Sequence, residues 1–551
     1  MSRLAREIGI RSPFLASMLY TTSPFLLTRI SIGHLGIALM FALLPWTISV
    51  LLRPTQNLQK LFLYATAMAL AGYASGSITL LIVVVGCIFA QATFGKKICT
   101  IMVALLAQSI WLVPGVVVTL SSTRQLPPAN VFATNFGTGI LQLFSPSAGG
   151  GFWNPNFQVG PAMGVFELMG FLLLLIAIRG QHRIRSELRN PLLTVGVIGW
   201  ILAAQTKLPG IDEFLSWLTN TSIGQIARES QRYTALHLVW LVPAFCLGVE
   251  YYCEKFDAKP KLRYLVGAIA ALPLAVASIL ATPAIWGVEG SLEAVQIPKC
   301  WNTAKAKISE NPGTILSLPW HQYFDQKIGS EVVRRTLDPM PYFLEGDVIH
   351  SSNNELGQNV SENGDPRELY FGNLVQKFLN EGLLPSNALR SVGVRWVVVQ
   401  QSVLIDDFSR FETDQGMTRV IKCADLDLYL VKTSQADASS ASGQHMLTNE
   451  LFPGLIRIRK ADAGPVTLNY PWSRFWFVGF DSLNKSEDGR LLIPRGNTYI
   501  WNFGAALVIA SYTFQSVVFI WFMRIRWRKR LSLRPATDSN KETLDDELSS
   551  G

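Results

Sequence analysis

The chain has 551 residues, 49% of them hydrophobic and only 16% charged, with a mean hydropathy of +0.27. That balance excludes a purely soluble protein, because too few polar side chains are available to cover so much apolar surface. The formal charge of +9 invites a nucleic-acid partner, but the lysines and arginines lie mostly beside apolar runs rather than on one basic face, so no nucleic acid is expected.

A bilayer core about 30 Å thick takes roughly 20 apolar residues per helix. In chain order, Arg3, Arg6 and Arg11 precede a short run at 12–27 that carries Pro24 and has no small-residue cleavage site, so the spans themselves are expected to do the targeting. Longer apolar runs follow at 32–52, 98–120, 162–179, 233–252, 263–284 and 498–523, with shorter ones at 58–74, 77–94 and 191–206. Counting 12–27, the pattern predicts a polytopic α-helical membrane bundle of about ten spans. The loops at 179–189 and 254–263, Lys96-Lys97 and the terminal 524–534 are strongly basic, whereas 121–161 holds a single basic residue, Arg124. Basic loops stay in the cytoplasm, which puts both termini there and the polar stretch 285–497 outside. The lipid bilayer of the plasma membrane is thus the first partner expected.

The bundle is expected over 1–284. Past it the apolar periodicity shortens. "GTILSLPW" (313–320) reads as a buried strand, 368–401 as helix, turn and the strand "VRWVVVQ", and "LDLYLVKT" (426–433) as another strand, giving an extracytoplasmic α/β domain over 285–434. "SQADASSASGQ" (434–444) is a linker by composition. The stretch 445–497 is strand-rich with hairpin signals at "EDGR" and "PRGN", and suits a β-sandwich inserted before the last span, 498–523. The remainder, 524–551, is a cytoplasmic basic segment with a disordered acidic tail.

No nucleophile elbow, P-loop, HExxH or dinucleotide fingerprint occurs, and no metal-ligand spacing, so no metal site is expected. Six cysteines are scattered without a CxxC; Cys300 and Cys423 share the polar region and can pair if it is extracytoplasmic. His321 in "LPWHQYF" reads as a structural histidine at a strand end. "GQIARESQRYTAL" (224–236) sets Arg228, Glu229 and Arg232 at the outer lip of a long apolar helix. Two readings stand there. The arginines, four apart, snorkel to lipid phosphates, or they hold a phosphate at headgroup level with Glu229 as acid/base. Asp212 and Glu213 in "LPGIDEFLSW" are the other outer acids close to a span, with a helix cap as the plainer account, while Glu167 lies inside a span and is costly there unless paired. Arg29 and His34 fall at the same membrane level as Arg228, which makes Arg29, His34, Arg228 and Arg232 the candidate phosphate ligands and Glu229 with Asp212 the candidate catalytic acids.

The stretches "SPFLLTRISIGHLGIALMFALLPW" (23–46), "IWLVPGVV" (110–117), "GGGFWN" (149–154), "ARESQRY" (227–233), "ILSLPWHQY" (315–323), "LRSVGVRWVVV" (389–399) and "DGRLLIPRGNTYI" (488–500) together resemble the GT-C type of bacterial membrane glycosyltransferase, above all its arabinofuranosyltransferase-like group with a luminal C-terminal domain. The resemblance covers nearly the whole chain. It implies a polyprenyl-phosphate sugar as donor and a cell-envelope glycan as acceptor, with a divalent cation as the one cofactor left open. Where relatives tend to show Arg-Glu-Pro-Gln-Lys, this chain has Arg228-Glu229-Ser230-Gln231-Arg232 and loses the proline. By the same resemblance the chain starts after the first span and its acidic outer loop, so a partner subunit supplying the N-terminal spans is expected. The alternative is a non-catalytic relative that binds lipid-linked sugar or envelope glycan. A transporter is disfavoured, since no internal repeat and only Glu167 as an intramembrane charge are visible.

The loop charges make one direct prediction. Reporter fusions after Ser434 and after Arg534 are expected on opposite sides of the membrane, and the same side for both would overturn the topology.

Overall fold

A computed structural model describes residues 1–53, 57–121, 140–152, 164–204, 207–208, 210–211, 213, 230–268, 271–272, 294–329, 333–351, 366–381, 383–384, 386–391, 393–403, 412–413, 416–432, 447–452, 455–459, 466–471, 476–478, 481–482, 484–485, 490–493 and 498–532. The chain divides into two compact units, one of Met1–Gly115, Pro128–Thr282 and Leu507–Gly551, the other of Val116–Pro127 and Pro283–Ala506. The linker 434–444 and the tail beyond 532 lie outside the described residues.

The first unit is helical: α1 (Ser2–Ile8), α2 (Pro13–Thr21), α3 (Pro24–Ser31), α4 (Leu35–Leu51), α5 (Leu58–Ala69), α6 (Tyr73–Phe89), α7 (Phe94–Ala107), α8 (Ser109–Ser121), a 3-10 segment Ile140–Ala148, α9 (Val165–Gln181), α10 (Ser186–Ala204), a 3-10 turn Ser230–Tyr233 and α11 (Thr234–Lys255). Among the described residues two helical stretches, Ser230–Lys255 and Phe503–Ile525, are long and apolar enough to cross a membrane, and a third arises if the bent pair Phe94–Ala107 and Ser109–Val117 forms one span. The expectation of about ten spans is not reached on that measure; helices such as Leu35–Leu51 and Ser75–Phe89 are apolar but shorter. Most of the run 263–284 lies outside the described residues.

Two departures have local causes. The expected span 12–27 is two helices, because Ser23 is extended ahead of Pro24, whose ring disfavours the helical region for the residue before it. The expected span 98–120 bends by 71° at Gln108. There the Gln108 side chain donates to Ala65 O at 2.7 Å and accepts from Trp111 Nε1 at 2.6 Å. Glu167, expected within a span, sits in the first turn of α9 and accepts from the Gly164 N–H. A carboxylate at a helix start satisfies a free N–H and suits the positive end of the dipole.

Close helix packing rests on small residues. A Cβ on Gly180 of α9 would lie 1.8 Å from Ala244 O of α11, and one on Gly248 would lie 2.2 Å from Ile176 O, so the two backbones touch where any side chain would part them. The final helix, α15 (Phe503–Ser532), leaves Leu507, Phe514, Val517 and Trp521 exposed, as a lipid-facing helix does. Its buried Gln515 side chain donates to Thr66 Oγ1 at 2.9 Å and to Ala107 O at 3.2 Å.

The second unit carries a five-stranded sheet in the order β4-β1-β6-β9-β8. Strands β1 (Thr314–Leu318), β4 (Val348–Ile349) and β6 (Val394–Gln400) run parallel, while β9 (Leu426–Val431) runs antiparallel to its two neighbours, β6 and β8 (Met417–Lys422). Alternation along the strands feeds two cores. Ile315, Trp396 and Val398 pack against Trp301, Ala304 and Ile308 of α12 (Lys299–Glu310), and Leu316, Val397 and Val399 against Phe371, Leu374, Val375 and Phe378 of α13 (Pro366–Glu381; α14 is Ser386–Ser391). A strand buried on both faces must be apolar throughout, which is why "VRWVVVQ" has no polar alternation at its centre. Cys300 and Cys423 are joined in a disulfide with Cα atoms 6.4 Å apart. Further on, the backbone forms two antiparallel sheets, one with Leu447–Phe452, Leu455–Arg459, Thr498–Asn502, Trp476–Val478 and Asp481–Ser482 side by side in that order, the other with Val466–Pro471, Arg490–Ile493 and Asn484–Lys485.

At the carboxyl end of β6, Gln400 Nε2 donates to Asp338 Oδ1 at 3.0 Å, and Met340 N–H caps the same oxygen at 3.0 Å. Asp338 is 1% exposed, and burial pushes its carboxyl above the ordinary range against the lowering pull of its hydrogen bonds to Met340, Ser317 and Gln400 and of nearby His350. A carboxyl whose folded value is raised binds more protons in the native state, so stability falls as pH climbs from the ordinary carboxylate range through the raised value. Asp338→Asn keeps the acceptor and removes that slope. Hydrogen-exchange protection of β1 and β6 amides in the full chain, corrected for intrinsic rates, is expected to decline with rising pH in the native protein and to stay flat in the variant; equal slopes would show that Asp338 is not the titrating group.

Candidate functional site

Helix α3 is only eight residues long and ends where Gly33 turns with φ 75°, a left-handed conformation that costs glycine little. That turn brings His34, the residue ahead of α4, back onto Arg29, with His34 N donating to Arg29 O at 2.8 Å. Arg29 Nη1 lies 3.0 Å from His34 Nδ1. A guanidinium only donates, so Nδ1 accepts and the imidazole carries its proton on Nε2. The Arg29 guanidinium carbon also lies 5.3 Å from the centre of the Phe25 ring and 4.9 Å from that of Phe152, and the Phe152 and His34 rings meet edge on at 6.4 Å. Phe152 belongs to the glycine-rich stretch whose Gly149, at φ 80°, places its Cα where a Cβ would come 3.0 Å from Phe25 N.

A small cavity of about 10 Å³, on the scale of one water, is lined by Phe25, Thr28, Arg29, Gly149, Phe152 and Gln231. Gln231 sits in the 3-10 turn Ser230–Tyr233, whose next residue is Arg232. Arg232 Nη2 lies 3.4 Å from Tyr233 Oη, and its guanidinium carbon 5.2 Å from that ring's centre. Arg29 is 1% exposed and Arg232 fully buried, so neither reaches lipid headgroups by snorkelling. Burying a guanidinium costs several kcal/mol before its partners are counted, in the range of buried ions generally. Beside this cavity lies a second, apolar one of about 40 Å³, lined by Leu19, Pro24, Ala148, Met169, Leu173 and Leu241 among others.

Of the residues singled out in the sequence, Arg29 and His34 touch directly, and Arg232 follows the residue that closes their cavity. Arg228, Glu229 and Asp212 lie outside the described residues; Glu213 is described and exposed. Sequence patterning did not single out Phe152 or Gln231, whose positions depend on contacts between distant segments. It also passed over His237, which sits one turn into α11. There His237 Nδ1 donates to Gly196 O at 3.0 Å, which leaves Nε2 to accept from Ser147 Oγ at 2.9 Å. Among the described residues Glu167, 4% exposed at the start of α9, is the buried carboxylate of this end of the bundle. No group of three or more His, Cys, Asp or Glu is gathered as a metal site among the described residues.

No family model matches the sequence, and no curated protein matches it. Among solved structures, two cryo-EM classes of the arabinofuranosyltransferase AftD from Mycobacteria are similar to this chain, at TM-scores of 0.53 and 0.51 and identities of 16% and 14%, each over 81% of this chain. The chain spans about a third of the length of that structure, 34%. The likeness shows that this chain shares the fold of part of that structure, and its apolar helices are those of a membrane protein.

The stacked guanidinium makes a test of the site's architecture. Arg29→Lys keeps the charge but not the planar group between Phe25 and Phe152, and is expected to cost about 1–3 kcal/mol. A melting temperature of the detergent-solubilised protein equal to wild type would show that stacking does not hold the site together.

Proposed function

We propose that the chain is an integral membrane glycosyltransferase of GT-C type, moving a sugar from a polyprenyl-phosphate donor to a cell-envelope glycan at the outer face. The observation that carries the reading is the pair of buried guanidiniums at one end of an apolar bundle, Arg29 and Arg232, beside an apolar slot at Leu19, Leu173 and Leu241. A phosphate on an isoprenoid chain has that duality: an anion suited to planar, charge-assisted donors and a tail suited to a dry groove. The resemblance in sequence and the fold of the AftD neighbours support the same class.

In this reading Arg29, His34, Arg228 and Arg232 hold the phosphate. Glu229, with Asp212 near it in sequence order, takes the proton of the acceptor hydroxyl as its oxygen bonds to the anomeric carbon, while the bond from that carbon to the phosphate oxygen breaks and the arginines receive the leaving charge. A divalent cation on the phosphate and a partner subunit belong to the same proposal. The disulfide Cys300–Cys423 supports an extracytoplasmic second unit, since such bonds persist in oxidising compartments.

The test is a transfer assay with lipid-linked sugar. Arg232→Ala is expected to weaken donor binding about 10- to 100-fold, and Glu229→Gln to spare binding and lower turnover about 10²- to 10⁴-fold. Donor binding that depends on Arg232 without any transfer by the wild type would instead support a non-catalytic lipid-linked sugar binder, and wild-type behaviour in both variants would sink the site.

A further inference from the structure

The far end of α4 from His34 opens on a cavity of about 470 Å³, within the size range of small-molecule sites. Its wall includes Glu7, Arg53, Lys60, Arg185, Ser186 and Glu187. The charges do not cancel. Glu187 is held by Arg53 at 2.8 Å and Glu7 by Arg3 at 3.1 Å, so both carboxylates are engaged. Lys60 and Arg185 are exposed into the opening and make no ion pair among the described residues. The buried Arg53 Nε has no hydrogen-bond partner among the described residues either. Two helices also start at this wall: α5, whose Asn57 side chain already accepts the Lys60 N–H at 2.9 Å, and α10, which opens at Ser186. Their first turns add partial positive charge to that of the side chains.

We propose that this cavity is a second anion site, binding a phosphate group at the opposite end of the bundle from Arg29. Lys60, in the first turn of α5, and Arg185, just ahead of α10, are cations left without carboxylates; like charges repel, and an anion between them removes that cost. A guanidinium and an ammonium at Arg185 and Lys60 supply the charge-assisted donors that phosphate oxygens take. The volume exceeds a bare phosphate, so the ligand carries an organic body: either the headgroup of an anionic phospholipid or a soluble phosphorylated compound. The site stands apart from the proposed transferase chemistry and is tested without it.

The experiment compares the full chain with Lys60→Gln/Arg185→Gln and with a charge-matched control, Lys96→Gln/Lys97→Gln, at the start of α7. Inorganic phosphate binding to detergent-solubilised protein is measured by equilibrium dialysis, and lipid retention by native mass spectrometry after extraction from nanodiscs of equal phosphatidylglycerol and phosphatidylcholine. The pocket variant is expected to lose at least about tenfold in affinity for one probe, as removal of charged hydrogen bonds does, with the control unchanged. Loss of phosphatidylglycerol retention identifies a lipid headgroup as the ligand; loss of phosphate binding alone identifies a soluble phosphorylated compound. Equal losses in pocket and control variants, or none in the pocket variant, overturn the proposal.

Discussion

Every polar group inside an apolar bundle must find a partner there, and that constraint shapes the first unit. Leaving one buried and unpaired costs about 1–3 kcal/mol, more for a charge. Gln108 meets it by turning to Ala65 O, and the chain bends where it does so. Gln515 meets it by reaching Thr66 and Ala107, which docks an otherwise lipid-facing helix in one rotation. His237 ties the 3-10 segment at Ser147 to α10 at Gly196, and Trp240 Nε1 donates to Gln181 Oε1 at 2.6 Å to tie α11 to α9. The helices between these points pack through apolar contact, which is non-directional; the polar pairs supply the register.

The same constraint separates the ends of the bundle. At one end the guanidiniums are inside, stacked on Phe25, Phe152 and Tyr233. At the other they are at the rim and paired: Arg11 and Arg183 share Glu254 at 2.9 and 2.7 Å, and Arg53 holds Glu187. Exposed pairs of that kind contribute little to stability, in the range of about 0–1 kcal/mol. Their weight in the proposed topology is in orientation, because basic loops favour the cytoplasmic side. Buried arginine at one end and solvated arginine at the other are therefore two uses of one residue type, with phosphate chemistry proposed for the first and, in the open cavity, for the second.

Much of the architecture was legible in the residues. Strands at 314–318, 394–400 and 426–431 fall where short apolar strand patterns marked them, and α11 covers the run expected at 233–252. These are elements whose pattern is local: a buried parallel strand is apolar over its whole length, and a long apolar helix is one over many turns. The pairing of Cys300 with Cys423 was open in the sequence because connectivity depends on where the strands sit. For the candidate site, residue type and membrane level pointed to Arg29, His34, Arg228 and Arg232 with Glu229 and Asp212, of which Arg228, Glu229 and Asp212 lie outside the described residues.

What only the tertiary structure decided is how those side chains are used. Composition allowed Arg232 to snorkel or to turn inward, and the difference lies in what packs around the turn Ser230–Tyr233, not in the turn itself. Likewise nothing in the spacing of Arg29 foretold that Phe152 would close over it, since a ring contact between separate segments leaves no period in either. The sequence by itself determined that this chain lives in a membrane, that it carries an α/β unit after its helices and that cations crowd both ends of the bundle, because hydropathy and charge act locally. Tertiary packing decided which cations were buried, because burial depends on every neighbour at once.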